Sequence, residues 1–277
     1  MDDSLVCQYT EQNITSQYMT ENHLTYTELY SSPESLFHHV CAMEPKMRLF
    51  CLPVDYYLQA ELFGIELSGY DDCSFLFPKT VPFEKKCPEF SLDHPRLRVI
   101  LNTFDLARSE GYTPCFNISG FADIFGALYG STLFYAEWYN SRSYINELFS
   151  YMQECLFQLI DHVAGHRVLV FSFVESTLLL PLIGKQFARE YSKEVLTPCL
   201  KGLQESSRRI IFHICQLTTT LIEQNPAVGS IRRELSEPLS SEETLIKLAN
   251  AADRPVLVGK SCLHNPKKTY FYYELTL

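Results

Sequence analysis

Val168-Leu169-Val170-Phe171-Ser172-Phe173-Val174 is an almost unbroken run of β-branched, aliphatic and aromatic residues. A strand with one wet face alternates apolar and polar side chains. A run that is apolar at nearly every position belongs to a strand buried on both faces, as in a parallel sheet covered by helices. Upstream, 141–162 reads as a long helix with Ile145, Leu148, Phe149, Met152, Leu156, Leu159 and Ile160 on one face, ended by Gly165. Downstream, 186–203 reads as a helix, 209–215 as a strand, 218–224 as a short helix and 228–232 as a strand. Residues 241–250 read as a helix capped by Ser240 or Ser241, with Glu242 and Glu243 in its first turn. Segments 255–259 and 269–275 complete the set as strands.

The N-terminal half is less regular. Residues 1–23 are polar without apolar periodicity. Segment 24–42 reads as helical, with Ser32-Pro33-Glu34 as a start signal. Residues 47–52 and 65–70 are strand candidates flanking a helix at 56–63 that Gly64 stops. Segment 71–93, with Pro78, Pro82 and Pro88, reads as an irregular connection. Residues 94–110 read as an amphipathic helix closed by Gly111, and 113–119 as a strand. From Thr113 onward strands and helices alternate, the order of a parallel sheet with helical crossovers. The whole chain offers about eight strand candidates, the number a closed barrel requires. The expected fold is therefore α/β, a (β/α)8 TIM-type barrel over 47–277 with an N-terminal extension over 1–46. A doubly wound open sheet is the alternative; against it, no strand runs into a Gly-rich phosphate-binding turn.

Composition narrows the function. The chain has 277 residues, of which 46% are hydrophobic and 20% charged, enough to bury a sizeable core. Its net charge of −10, with no long Lys/Arg run, argues against nucleic acid as a partner. Ten cysteines lie scattered without the dense spacing of a disulfide scaffold. The acidic start Met1-Asp2-Asp3 does not resemble a secretory signal, and the apolar run at 178–183 is short and broken by Pro181. These features predict a cytoplasmic protein with reduced thiols and no membrane span.

The segment richest in chemistry is Arg209-Ile210-Ile211-Phe212-His213-Ile214-Cys215-Gln216. On a strand, His213 and Cys215 point to one face, about 6.6 Å apart at the Cα atoms. That spacing lets an imidazole and a thiolate share one zinc ion. Glu175 follows the 168–174 strand directly, and a carboxylate at a barrel strand's carboxyl end is a candidate catalytic or ligand-orienting group. Asn117 and Ser119 alternate on one face of the 113–119 strand and are candidate substrate-binding residues. The aromatic stretch 134–139 reads as helix packing.

The strand Ile210-Ile211-Phe212-His213-Ile214-Cys215, followed by Thr218-Thr219-Thr220, resembles the H-x-C strand of methylcobamide:thiol methyltransferases (coenzyme M type). These are members of the uroporphyrinogen-decarboxylase-like superfamily. Gln59-Ala60-Glu61-Leu62-Phe63-Gly64 is similar to that family's early helix end. Asn117-Ile118-Ser119-Gly120-Phe121-Ala122 is similar to its strand-to-helix turn. Residues 175–187, Val195-Leu196-Thr197-Pro198-Cys199-Leu200 and Pro255-Val256-Leu257-Val258-Gly259 follow in the same order. The resemblance covers roughly 47–262.

It implies a Zn2+ held by His213, Cys215 and a later cysteine, for which Cys262 is the candidate and His264 the fallback. It also implies a corrinoid carried by a partner protein as methyl donor, and a small thiol as acceptor. Two departures stand out: the chain ends early after the strand at 269–275, and Gln216 stands where the family has Gly, at the edge of the substrate position. They motivate a divergent, non-catalytic binding member as one alternative. Uroporphyrinogen decarboxylation is another. That activity needs an arginine cluster for a polyanion, and the sequence has none.

Overall fold

The structure is a computed structural model that describes residues 16–45, 47–52, 57–69, 76–79, 82–206 and 209–277. Most of the polar 1–23 segment, and parts of the expected elements at 56–63, 65–70 and 71–93, lie outside the described residues. The described chain divides into two compact units, one drawn from Gln8–Pro114 and Ile118–Val168, the other from Cys115–Asn117 and Leu169–Leu277.

The first unit begins with helices α1 (Ser16–Asn22), α2 (Tyr26–Leu29) and α3 (Pro33–Met43). Thr25 and Glu28 form a reciprocal capping box on α2, and the Ser32 hydroxyl accepts from the Ser35 N–H ahead of Pro33 to start α3. Strand β1 (Leu49–Cys51) and helix α4 (Leu58–Leu62) follow. The short strands β2 (Leu67–Ser68) and β3 (Phe77–Pro78) pair only with each other, antiparallel. Helix α5 (Pro95–Ser109) ends where Gly111 adopts φ +83° and the Tyr112 N–H reaches the Ala107 carbonyl, a left-handed closure that favours glycine. Gly64, at φ +81°, closes α4 in the same way. Strand β4 (Thr113–Ser119) starts beside β1, its Thr113 N–H donating to the Arg48 carbonyl. Helices α6 (Phe121–Tyr129), α7 (Ser131–Asn140) and α8 (Arg142–Gly165) complete the unit. Phe134 and Trp138 of α7 are packed into the core, and the apolar face of α8 is buried as its periodicity requires. Arg96 and Glu61 form a buried ion pair at 2.8 Å, with a second guanidinium nitrogen on the Tyr30 hydroxyl at 3.1 Å.

The second unit carries most of the main sheet. Strand β5 (Val170–Val174) leads into α9 (Leu180–Tyr191), which Gly184 interrupts at φ +76°. A π-helical turn (Ser192–Leu196) runs straight into α10 (Thr197–Gln204). Strand β6 (Ile211–Cys215), helix α11 (Gln216–Ile222), strand β7 (Gly229–Leu239), helix α12 (Ser241–Ala251) and strands β8 (Val256–Ser261) and β9 (Thr269–Thr276) follow. Ser240 is the α12 cap, in a reciprocal box with Glu243.

The strands bond in the order β1-β4-β5-β6-β8-β9-β7. The pairs β5–β6 and β6–β8 are parallel; β8–β9 and β7–β9 are antiparallel. The fold is thus mixed α/β with a seven-stranded, mostly parallel sheet. The eightfold closure expected from the strand count is absent among the described residues. The 65–70 candidate contributes to a separate two-stranded ribbon, and β9 follows β8 after a turn with no crossover helix, so it must run antiparallel. Among the described residues, no helix is long and apolar enough to cross a membrane.

Candidate functional site

Strands β5, β6 and β8 run side by side, and His213, Cys215, Glu175 and Cys262 lie on them or directly after them. His213 lies in the middle of β6, 1% exposed, in register with Ser172 of β5. Its Nδ1 is 2.9 Å from the Ser172 hydroxyl and its Nε2 is 3.0 Å from the Ser261 carbonyl oxygen. A carbonyl only accepts, so Nε2 carries the proton, and Nδ1 accepts from the serine hydroxyl. The ring is neutral. Burial pulls its pKa from 6.5 down to about 4, partly opposed by the Ser261 carbonyl, which favours the protonated ring.

The Ser261 carbonyl reaches the imidazole because β8 carries a bulge. His213 pairs with Val258 and Cys215 with Ser261, so two steps along β6 match three along β8. The extra residue is accommodated with Lys260 at φ +62°, a left-handed conformation rare for a side chain of this size. The Lys260 N–H donates to Thr219 Oγ1 at 3.2 Å, and a Cβ on Gly259 would stand 2.9 Å from that same oxygen. Glycine is thus required there by a close approach.

Cys215 ends β6, buried, and serves as the residue before α11. Cys262 follows β8, half-buried. His264 lies near enough to His213 for their charges to repel; burial first and that repulsion second lower its pKa to about 3. Gln216 is the first residue of α11 and is exposed. Asn117 is half-buried on β4; Ser119 is buried at the end of that strand and belongs to the other unit.

Glu175 stands just past β5, as its position predicts, but it is only 1% exposed. Its Oε2 accepts from the Tyr191 hydroxyl at 2.7 Å and its N–H donates to Thr218 Oγ1 at 2.8 Å. Burial, with the Glu175 charge in second place, pushes the Cys199 thiol far above the usual thiol range. The carboxylate therefore ties the helical layer to the end of β5 instead of lying open to solvent.

As placed, His213 has both ring nitrogens hydrogen-bonded, and among the described residues no group of three or more His, Cys, Asp or Glu side chains could hold a metal ion. The arrangement does not fit a zinc held by His213, Cys215 and Cys262. Ligation through Nδ1 requires the Ser172 hydroxyl to withdraw; the Nε2–H bond to Ser261 is the ordinary outer partner of a ligating histidine. Sequence reasoning missed Ser172, Ser261, Tyr191 and Thr218. The one available signal was Ser172, the only polar residue in the apolar 168–174 run.

The sequence matches no protein-family model and no curated protein. Among solved structures, the fold is similar to a methyltransferase from Methanosarcina mazei, with a TM-score of 0.53 and 14% identity over 81% of this chain and 68% of that one. At that identity the likeness shows a shared fold and nothing finer.

Proposed function

We propose that this chain is a methyltransferase working at the carboxyl ends of β5, β6 and β8, with a thiol as acceptor and a methylated corrinoid on a partner protein as donor. The observation that carries this reading is the likeness to the Methanosarcina mazei methyltransferase. It is supported by the position of His213 and Cys215 on a central parallel strand, at the sheet end where α/β proteins bind ligands. In such a transfer the acceptor sulfur loses its proton and forms a bond to the methyl carbon. The carbon–cobalt bond breaks, and its electron pair stays on cobalt. Zinc would make the thiol acidic, but the donor set does not fit it, with both nitrogens of His213 hydrogen-bonded. A second reading, a divergent member that binds without turning over, is favoured by the two hydrogen bonds that hold His213.

The test uses protein purified without chelator, with methylcobalamin and 2-mercaptoethanol, followed by visible absorbance with and without added zinc. Demethylation that is lost in Cys215→Ser supports methyl transfer. No demethylation under either condition, with no zinc retained, gives the binding reading.

A further inference from the structure

A cavity of about 100 Å3, open on one side to solvent, lies where the end of β8 and the start of β9 meet the start of α12. Its chemistry opposes that of the whole protein. The chain carries −10, yet the lining holds Lys260 and Lys267 and no carboxylate. Lys260 is already neutralised by Glu223 at 2.7 Å, but the Lys267 ammonium makes no ion pair among the described residues. Ser241, Ser261 and Asn265 line the same space, and neither serine hydroxyl nor the Asn265 amide nitrogen has a hydrogen bond among the described residues. The Asn265 oxygen is occupied by the Lys267 N–H, which leaves the NH2 group as the free end and fixes the short turn that presents both residues. Apolar surface from Val258 and Phe271 completes the lining. The strained Lys260, in the bulge beside the cavity, is the kind of backbone outlier found at ligand sites.

An ammonium, two hydroxyls and an amide donor beside an apolar wall suit a small oxyanion ester with an apolar organic part. We propose that this cavity binds a phosphate monoester, its phosphate held by Lys267, Ser241, Ser261 and Asn265 and its organic part lying against Val258 and Phe271. Binding is read without turnover, so it stands or falls separately from methyl transfer.

The test is calorimetric titration of the full chain with phenyl phosphate, at fixed ionic strength. Saturable binding is expected, weakened at least about ten-fold in Lys267→Ala, the size of one charge-assisted hydrogen bond. It is expected to stay unchanged in Lys268→Ala, whose ammonium is held by Glu243. Both lysines are exposed, so neither variant threatens the fold. Absence of saturable binding, equal losses in the two variants, or equal affinity for phenol would overturn the proposal.

Discussion

Acidification should unfold the second unit through the buried imidazole of β6. His213 is neutral in the folded protein, with a pKa of about 4, and returns to its ordinary 6.5 when the chain unfolds. The unfolded chain therefore binds the proton more tightly. Above pH 6.5 neither state is protonated and the group has no effect on stability. As pH falls from 6.5 towards 4, stability is lost at up to 1.36 kcal/mol per pH unit for this one group. Below pH 4 the loss levels off at about 3 kcal/mol, a large part of the ~5–15 kcal/mol that holds an ordinary domain together. His264 adds a loss of the same sign that continues down to about pH 3. The perturbation that isolates His213 is the pair Ser172→Ala with His213→Leu, which removes the imidazole and the hydroxyl that would otherwise be left unpaired. Urea denaturation followed by far-ultraviolet circular dichroism at pH 7.5, 6.5, 5.5 and 4.5 gives the slope of stability against pH for each protein. The variant should show the shallower slope, with His264 supplying what remains. Equal slopes would show that His213 takes up its proton in the folded state without cost, and the neutral, doubly bonded ring would be wrong.

Three further outcomes follow from packing. Arg96→Leu leaves the buried Glu61 carboxylate without its guanidinium; it should cost about 3–5 kcal/mol, read as a lowered thermal midpoint. Gly259→Ala places a methyl 2.9 Å from Thr219 Oγ1 and 3.0 Å from both Leu275 methyls; a loss of about 1–3 kcal/mol in urea is expected, relieved in part by Leu275→Val, which withdraws the two methyls. Ser240→Ala removes the α12 cap and should cost about 1 kcal/mol, while Ser241→Ala, one residue on, leaves the cap intact.

Elements with a strong internal signal were legible in the sequence. Strand β4 lies where the 113–119 run puts it, the core of β5 lies inside 168–174, and α8 buries the face its periodicity marks. The Ser240–Glu243 box follows from four letters. Features set by partners were not legible. The expected helix at 186–203 is broken by a π-helical turn at Ser192–Leu196, which burial of Ser192 against the Ile222 carbonyl accommodates. Strand β7 runs on to Leu239, through a charged stretch with no alternation, because β9 pairs with it. Closure of the sheet is a property of which strands pair, and a count of strand candidates does not contain it. The same holds at the site. That His213 and Cys215 share one strand is written in the sequence; that Ser172 and Ser261 take both ring nitrogens depends on register between strands far apart in the chain.

The single extra residue in β8 changes the parity of everything after it. Strand side chains alternate by odd and even number, so an inserted residue exchanges the two sets relative to the neighbouring strand. Upstream of Lys260, β6 and β8 keep one step; downstream, Cys215 faces Ser261 instead of the residue before it. Deleting Lys260 would restore the common step and withdraw the Ser261 oxygen from the imidazole. Which ring nitrogen of a histidine on one strand carries the proton is therefore tied to the residue count of the next.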